Sequence, residues 1–268
     1  MSAFATLTVG GRTVRYLAGG DPAASRTLLL LHAFPIGVSV WEPQIDAFPS
    51  WRVLAPALPG FDGSDPIPDT TIDGYAAHIV RFVEAMGLQR ACVGGLSLGG
   101  YLLFALLRRA PGLISGLVLA DTRSGADGPD ARESRQRMLA TLAAEGVPAI
   151  ASDVIPKLLG PSTRRDRAAV VERVRDRIES QPADAVADAV RVMLSRPDAT
   201  PLLQTIRVPT LIIVGEEDAL TPPAEAERLH AAIAGSTLVR LPHAGHLTSL
   251  ENPAAFNAAV AQLLTRIA

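Results

Sequence analysis

The chain reads as an α/β protein built on a mainly parallel sheet, with a helical insertion in its second half. Three observations carry that reading. Short continuous apolar runs at 27–31, 91–93 and 210–214 alternate with stretches of helical periodicity; this is the pattern of buried parallel strands joined by crossover helices. Between residues 122 and 200 the strand-like runs vanish, charges rise and helical stripes take over. A glycine-framed serine, Gly94-Gly95-Leu96-Ser97-Leu98-Gly99-Gly100, separates one apolar run from a second apolar stretch that begins at Tyr101. The length, 268 residues, suits one such domain with an insertion.

Phe4, Leu7 and Val9, then Val14, Tyr16 and Leu17, alternate on either side of Gly10-Gly11, which predicts a β-hairpin. The run at 27–31 predicts a strand buried on both faces, and 52–55 a weaker one. After Pro66 and Pro68, the positions Ile72, Tyr75, Ile79, Phe82, Val83 and Met86 recur at helical spacing, with Gly87 as the stop. A strand at 91–96, a helix to about Ala110 and a strand at 117–120 follow. Within 122–200, Val170, Val174 and Ile178, and later Val186, Val190, Met193 and Leu194, mark helices, and prolines punctuate the segment. The α/β pattern then resumes: strand 210–214, helix 222–233, strand 237–241 and a last helix over 253–264. The expected division is a core of 1–121 and 201–268, with 122–200 inserted as a helical cap over the strand ends.

Composition narrows the function. Hydrophobic residues make up 48% of the chain, enough for a substantial core, and the formal net charge is −2. No broad basic field for nucleic acid or anionic membrane is implied. The basic residues between Arg164 and Arg177 are interleaved with Asp166, Glu172 and Asp176 and read as a solvated helix face. The single cysteine, Cys92, rules out an intrachain disulfide, a cysteine zinc cluster and a CxxC pair; it reads as a buried core thiol. Residues Met1 to Thr6 lack a signal-peptide pattern and no segment is long enough to span a bilayer. A soluble cytoplasmic protein, monomer or homodimer, is expected.

The serine carries the chemistry. A strand that turns into a helix within a few residues forces its tip residue into an unfavourable backbone conformation, and Gly95 and Gly99 let neighbouring elements pack against the turn. Serine is a weak nucleophile at neutral pH and needs a base, itself oriented by a carboxylate. In open parallel sheets such groups gather at the carboxyl ends of strands. Asp218, in Gly215-Glu216-Glu217-Asp218, follows strand 210–214 and is the best acid; Asp121, at the end of strand 117–120, is its rival. Glu216 and Glu217 read as solvated turn residues. His243 and His246 both follow strand 237–241, whereas His78 and His230 fall on helices as packing or surface residues. Backbone N–H groups for an oxyanion are expected from Leu98, directly after the serine, and from Phe34 in the loop after strand 27–31. His32 then supports that loop, and Phe34 is also a candidate pocket wall.

On Gly95-Leu96-Ser97-Leu98-Gly99, Gly215-Glu216-Glu217-Asp218 and Ala244-Gly245-His246, the chain resembles the α/β-hydrolase superfamily over almost its full length, in the branch of bacterial carboxylesterases and 3-oxoadipate enol-lactonases. The resemblance implies an eight-stranded, mostly parallel sheet, a helical cap, and hydrolysis of small-molecule esters or lactones through a serine-acyl intermediate, without cofactor or metal. It implies Ser97, Asp218 and His246 as catalytic residues, favouring His246 over His243. Dehalogenase and epoxide hydrolase chemistry is disfavoured, because those relatives carry a carboxylate where Ser97 stands. The sequence departs from the pattern at Ala33, after His32, and at Ala57 and Asp62, where the loop 59–65 is expected to turn at Gly63. No departure removes a catalytic group. The same residues would serve C–C, amide or peracid chemistry, or a slow-hydrolysing receptor. Arg123 is read in two ways: facing the pocket to attract an acidic substrate, or on the surface paired with Asp121 or Asp127.

Overall fold

The structure is a computed structural model that describes residues 4–267. Of the N-terminal stretch expected to lack a signal-peptide pattern, residues 1–3 lie outside those described.

Eight strands form one sheet: β1 (Phe4–Val9), β2 (Arg12–Gly20), β3 (Thr27–Leu31), β4 (Arg52–Pro56), β5 (Ala91–Leu96), β6 (Ile114–Ala120), β7 (Thr210–Gly215) and β8 (Thr237–Leu241). Their order is β1-β2-β4-β3-β5-β6-β7-β8. β1, β2 and β4 pair antiparallel and every other neighbour is parallel. The expected eight-stranded, mostly parallel sheet is therefore what the chain forms. The continuous apolar runs occupy interior strands, flanked on both sides: all residues of β3, β5 and β7 are buried. Each buried leucine of β3 contributes about 2 kcal/mol on removal from water. β6 begins three residues earlier than the apolar run suggested, because Ser115 and Gly116 interrupt the hydrophobic signal. A Cβ on Gly116 would lie 2.3 Å from Ile267 Cδ1, so the glycine admits the C-terminal segment.

Around the sheet lie α1 (Glu42–Ile45), α2 (Ile72–Ala85), α3 (Leu98–Arg109), α10 (Pro223–Ala232), α11 (Thr248–Glu251) and α12 (Pro253–Leu264). α2 starts where Thr71 Oγ1 accepts the Gly74 N–H at 3.0 Å, a side-chain N-cap. It buries Ile72, Tyr75, Ile79, Phe82 and Val83, the stripe its sequence announces. Between β6 and β7 run only helices: α4 (Pro129–Glu145), α5 (Val147–Leu158), α6 (Pro161–Asp166), α7 (Ala168–Glu179), α8 (Ala183–Ser195) and α9 (Thr200–Leu203).

The sheet register brings the functional ends together. Leu96 of β5 pairs with Ala120 of β6, Ala120 with Ile213 of β7, and Gly215 with Leu241 of β8. The residues that follow four adjacent strands thus share one edge. At the central turn, a Cβ on Gly99 would sit 2.0 Å from the Leu31 carbonyl oxygen, a backbone atom with nowhere to go. Gly99→Ala is therefore expected to destabilise the fold by about 3 kcal/mol, although alanine favours a helix by about 1 kcal/mol. Chemical denaturation reads the effect, and an unchanged midpoint would refute the close approach.

Candidate active site

Ser97 stands between β5 and α3 with φ 53 and ψ −109, a positive-φ conformation for a residue that has a Cβ. Its N–H donates to Ala120 O at 2.9 Å, and Thr122 Oγ1 donates to Ser97 O at 2.9 Å. The neighbouring strand thus holds the turn from both sides and leaves the hydroxyl free to reach across the strand ends. Ser97 Oγ lies 2.8 Å from His246 Nε2, and His246 Nδ1 lies 2.8 Å from Asp218 Oδ2. With the imidazole proton on Nδ1, the ring donates to the carboxylate and its Nε2 accepts from the serine hydroxyl. Asp218 is fixed in turn: Oδ1 accepts the N–H groups of Leu220 and Thr221, and Oδ2 accepts Thr221 Oγ1 at 2.7 Å.

The electrostatics match this geometry. Burial disfavours a charged His246, but the Asp218 carboxylate beside it outweighs burial and raises the imidazole above its ordinary 6.5, with Asp121 and Glu251 adding to the effect. Burial likewise opposes ionisation of Asp218, yet His246 and the Thr221 donors hold its carboxyl below the usual range.

The rivals are placed elsewhere. Asp121 is buried, and its Oδ1 accepts Gly215 N–H at 3.0 Å while Oδ2 accepts the N–H and hydroxyl of Thr248. Burial, reinforced by the charge of Asp218, pushes its carboxyl well up. It joins the ends of β6 and β7 to α11 and makes no hydrogen bond to the imidazole. His243 is exposed, His230 is exposed on α10, and His78 is buried on α2. His32 accepts Leu58 N–H at 2.9 Å through Nε2 and lies 3.0 Å from Ala33 O through Nδ1, so it braces the two loops that follow β3 and β4. Burial lowers its pKa and keeps it neutral. Phe34 lines the same cavity as Ser97, and Leu98 opens α3, where the first N–H groups have no intrahelical acceptor.

Three acidic residues do structural work that the sequence reading missed. Glu251, at the end of α11, accepts Gly245 N–H at 2.9 Å and Leu247 N–H at 3.1 Å, bracketing His246, and Gly160 N–H at 2.8 Å from the α5–α6 junction. His246 N–H itself donates to Leu158 O at 3.0 Å. Glu217 is not a solvated turn residue: its carboxylate takes the N–H and hydroxyl of Ser162 at the start of α6. Asp62 itself adopts a left-handed φ of 50 beside Gly63, and its carboxylate accepts Val38 N–H at 2.8 Å and Gln181 Nε2 at 2.9 Å. The only available signal was an acidic side chain beside a glycine or proline turn, which does not say which distant N–H it will take.

Ser97 and His246 open onto a cavity of about 290 Å³, at the small end for ligand pockets. Ala131, Ser134, Arg135 and Met138 line it, one face of α4 at i, i+3, i+4 and i+7. Arg123 borders it as well and also binds Asp127, its Nη2 donating at 2.7 Å. Both halves of the expectation for Arg123 therefore hold in part: it faces the pocket, and its partner is Asp127 rather than Asp121. Among the described residues, no group of three His, Cys, Asp or Glu side chains is arranged to hold a metal ion. No helix among them is long and apolar enough to cross a membrane.

Comparison with known proteins places the chain in a wider group. The alpha/beta hydrolase fold family matches residues 26–253. The chain is 26% identical to 3-oxoadipate enol-lactonase 2 of Acinetobacter baylyi, over 97% of this chain and 96% of the relative. It is 28% identical to the pimeloyl-[acyl-carrier protein] methyl ester esterase of Aromatoleum aromaticum, over 84% and 93%. A thermophilic esterase from Thermogutta terrifontis, solved with malate bound, superposes with a TM-score of 0.92 at 34% identity, covering 99% of each chain.

Proposed function

The chain belongs to the alpha/beta hydrolase family, and from that premise we propose that it is a serine hydrolase of small carboxylic esters or lactones, with Ser97, His246 and Asp218 as its catalytic residues. The observation that carries this reading is the unbroken chain of 2.8 Å contacts from Ser97 Oγ through the imidazole to Asp218. Relatives named as an enol-lactonase and a methyl ester esterase support the choice of bond.

In the first half-reaction Ser97 Oγ attacks the carbonyl carbon while His246 Nε2 takes its proton. Asp218 holds the ring in the tautomer that can accept and stabilises the imidazolium that results. The negative charge that develops on the carbonyl oxygen falls to the backbone N–H groups of Phe34 and Leu98. Collapse breaks the bond to the alkoxy group, which leaves with the proton from Nε2, and the acyl group stays on Ser97. Water then enters, gives a proton to His246 and attacks the acyl carbon. Release of the acid returns the proton to Ser97. These steps use only the chain's own groups and water. For a lactone the leaving alkoxide remains tethered to the acyl group.

In this reading residues 1–121 and 201–268 form the catalytic core, and 122–200 form a cap that supplies the substrate-facing wall. A fluorophosphonate probe tests the proposal directly. One equivalent is expected to label Ser97, found on its peptide by mass spectrometry, and to abolish hydrolysis of p-nitrophenyl acetate. A Ser97 that stays unlabelled while the protein is folded would overturn it.

A further inference from the structure

Three arginines converge on one buried acid beside the cavity. Asp127, whose side chain is 1% exposed, receives Arg123 Nη2 at 2.7 Å and Arg196 Nη2 at 2.7 Å on Oδ1, and Arg135 Nε at 2.6 Å on Oδ2. Burial works against the charge of Asp127, but Arg135 and Arg196 outweigh it and lower its pKa to about 2. The acid is therefore ionised throughout the working range. Exposed Asp198 also interacts with Arg196, but one buried carboxylate cannot in addition neutralise both Arg123 and Arg135.

The three are not equivalent. Arg196 is 3% exposed, lies over the Tyr101 ring at 4.0 Å and also donates to Gly125 O, so it is committed to the scaffold. Arg123 and Arg135 keep 28% and 17% of their side chains exposed and border the cavity that holds Ser97 and His246. Arg123 Nε is buried and has no hydrogen-bond partner. The other charged pair on the cavity wall, Lys157 and Asp153, is self-neutralising at 2.8 Å. Placing unbalanced cations in a confined cavity is costly unless an anion joins them. The guanidinium fork is suited to a planar carboxylate.

Resting on the hydrolase reading above, we propose that Arg123 and Arg135 form a carboxylate-binding subsite, and that the preferred substrates are short esters or lactones carrying a second, ionised carboxylate. Asp127 aims the two guanidinium groups and limits their rotation, so the fork is held ready before substrate arrives. Because the cavity is small, the group bound by the arginines and the carbonyl attacked by Ser97 belong to one short molecule.

The test compares monoethyl succinate with ethyl levulinate, which places a neutral acetyl group where the succinate ester has its carboxylate. The parent enzyme is expected to favour monoethyl succinate in kcat/KM. Arg123→Met and Arg135→Met are each expected to reduce that preference by roughly 10- to 100-fold, with Arg123→Lys keeping part of it. Should Arg135→Met fail to fold, salt provides the second reading: the parent's preference falls as ionic strength rises. A parent that treats the two esters alike, or a preference untouched by Arg123→Met and by salt, would overturn the subsite. If neither ester is cleaved, the hydrolase reading fails separately. Calorimetry with succinate then decides the subsite: binding that is lost in Arg123→Met supports it, and no binding to the parent overturns it.

Discussion

Ser97→Ala is expected to lower kcat for a short p-nitrophenyl ester by about 10⁵- to 10⁶-fold while leaving the protein folded. The size follows from what is removed. Without the hydroxyl there is no acyl acceptor, and the residual rate comes from the oxyanion donors and from substrate positioning alone. The fold should not notice, because among the described residues the Ser97 side chain hydrogen-bonds to His246 Nε2 alone. The contacts that shape the turn are made by its backbone N–H and carbonyl, which alanine keeps. Steady-state kinetics and a thermal melt check both halves. Turnover above a hundredth of the parent, or a melting point that collapses, would contradict the assignment.

Asp218→Asn is expected to cost about 10⁴-fold in kcat, while Asp121→Asn costs less than about 10-fold. Both acids are buried and both follow interior strands of the sheet, but only Asp218 bonds to the imidazole. The pH profiles should separate them further. In the proposed mechanism only neutral His246 accepts the serine proton, and its folded pKa is raised above the ordinary 6.5 because the effect of Asp218 outweighs burial. Activity of the parent therefore rises with pH through that raised value and is lost as pH falls below it. In Asp218→Asn the strongest raising influence is gone and burial remains, so the midpoint moves down. Asp121 is a weaker influence on the ring, so Asp121→Asn moves it less. Equal losses in the two variants would mean that the acids share the task.

Which features the sequence revealed follows from what each segment packs against. β3, β5 and β7 are buried on both faces and so announce themselves as apolar runs. α4 announces itself weakly, because much of its inward face, Ala131, Ser134, Arg135 and Met138, lines a cavity, and Met138, Leu139 and Leu142 near its end pack on the core. The meeting of Ser97, Asp218 and His246 was legible in part: each follows a strand in a short glycine-containing turn, but Asp121 and His243 follow strands too, and only the family resemblance favoured His246 over His243. Glu251, Glu217 and Asp62 were not legible, since their partners lie far along the chain: Gly160, Ser162 and Gln181. Nothing in the local pattern around an acid states which remote backbone N–H it will satisfy. Arg123 was half legible, its position after β6 being evident and its choice of Asp127 over Asp121 depending on where Asp121 finds Gly215 and Thr248.

Glu251 sets a rule for anyone recombining this protein with its relatives. Its carboxylate is shared between the backbone on either side of His246 and that of Gly160 in the helical segment. The imidazole is therefore aligned partly by the piece of chain that also shapes the pocket. A chimera that exchanges residues 122–200 for another insert exchanges a support of the base together with the wall. Specificity and alignment are inherited as one block, and a graft must bring its own donor to Glu251 to keep the donor's substrate range without misplacing the histidine.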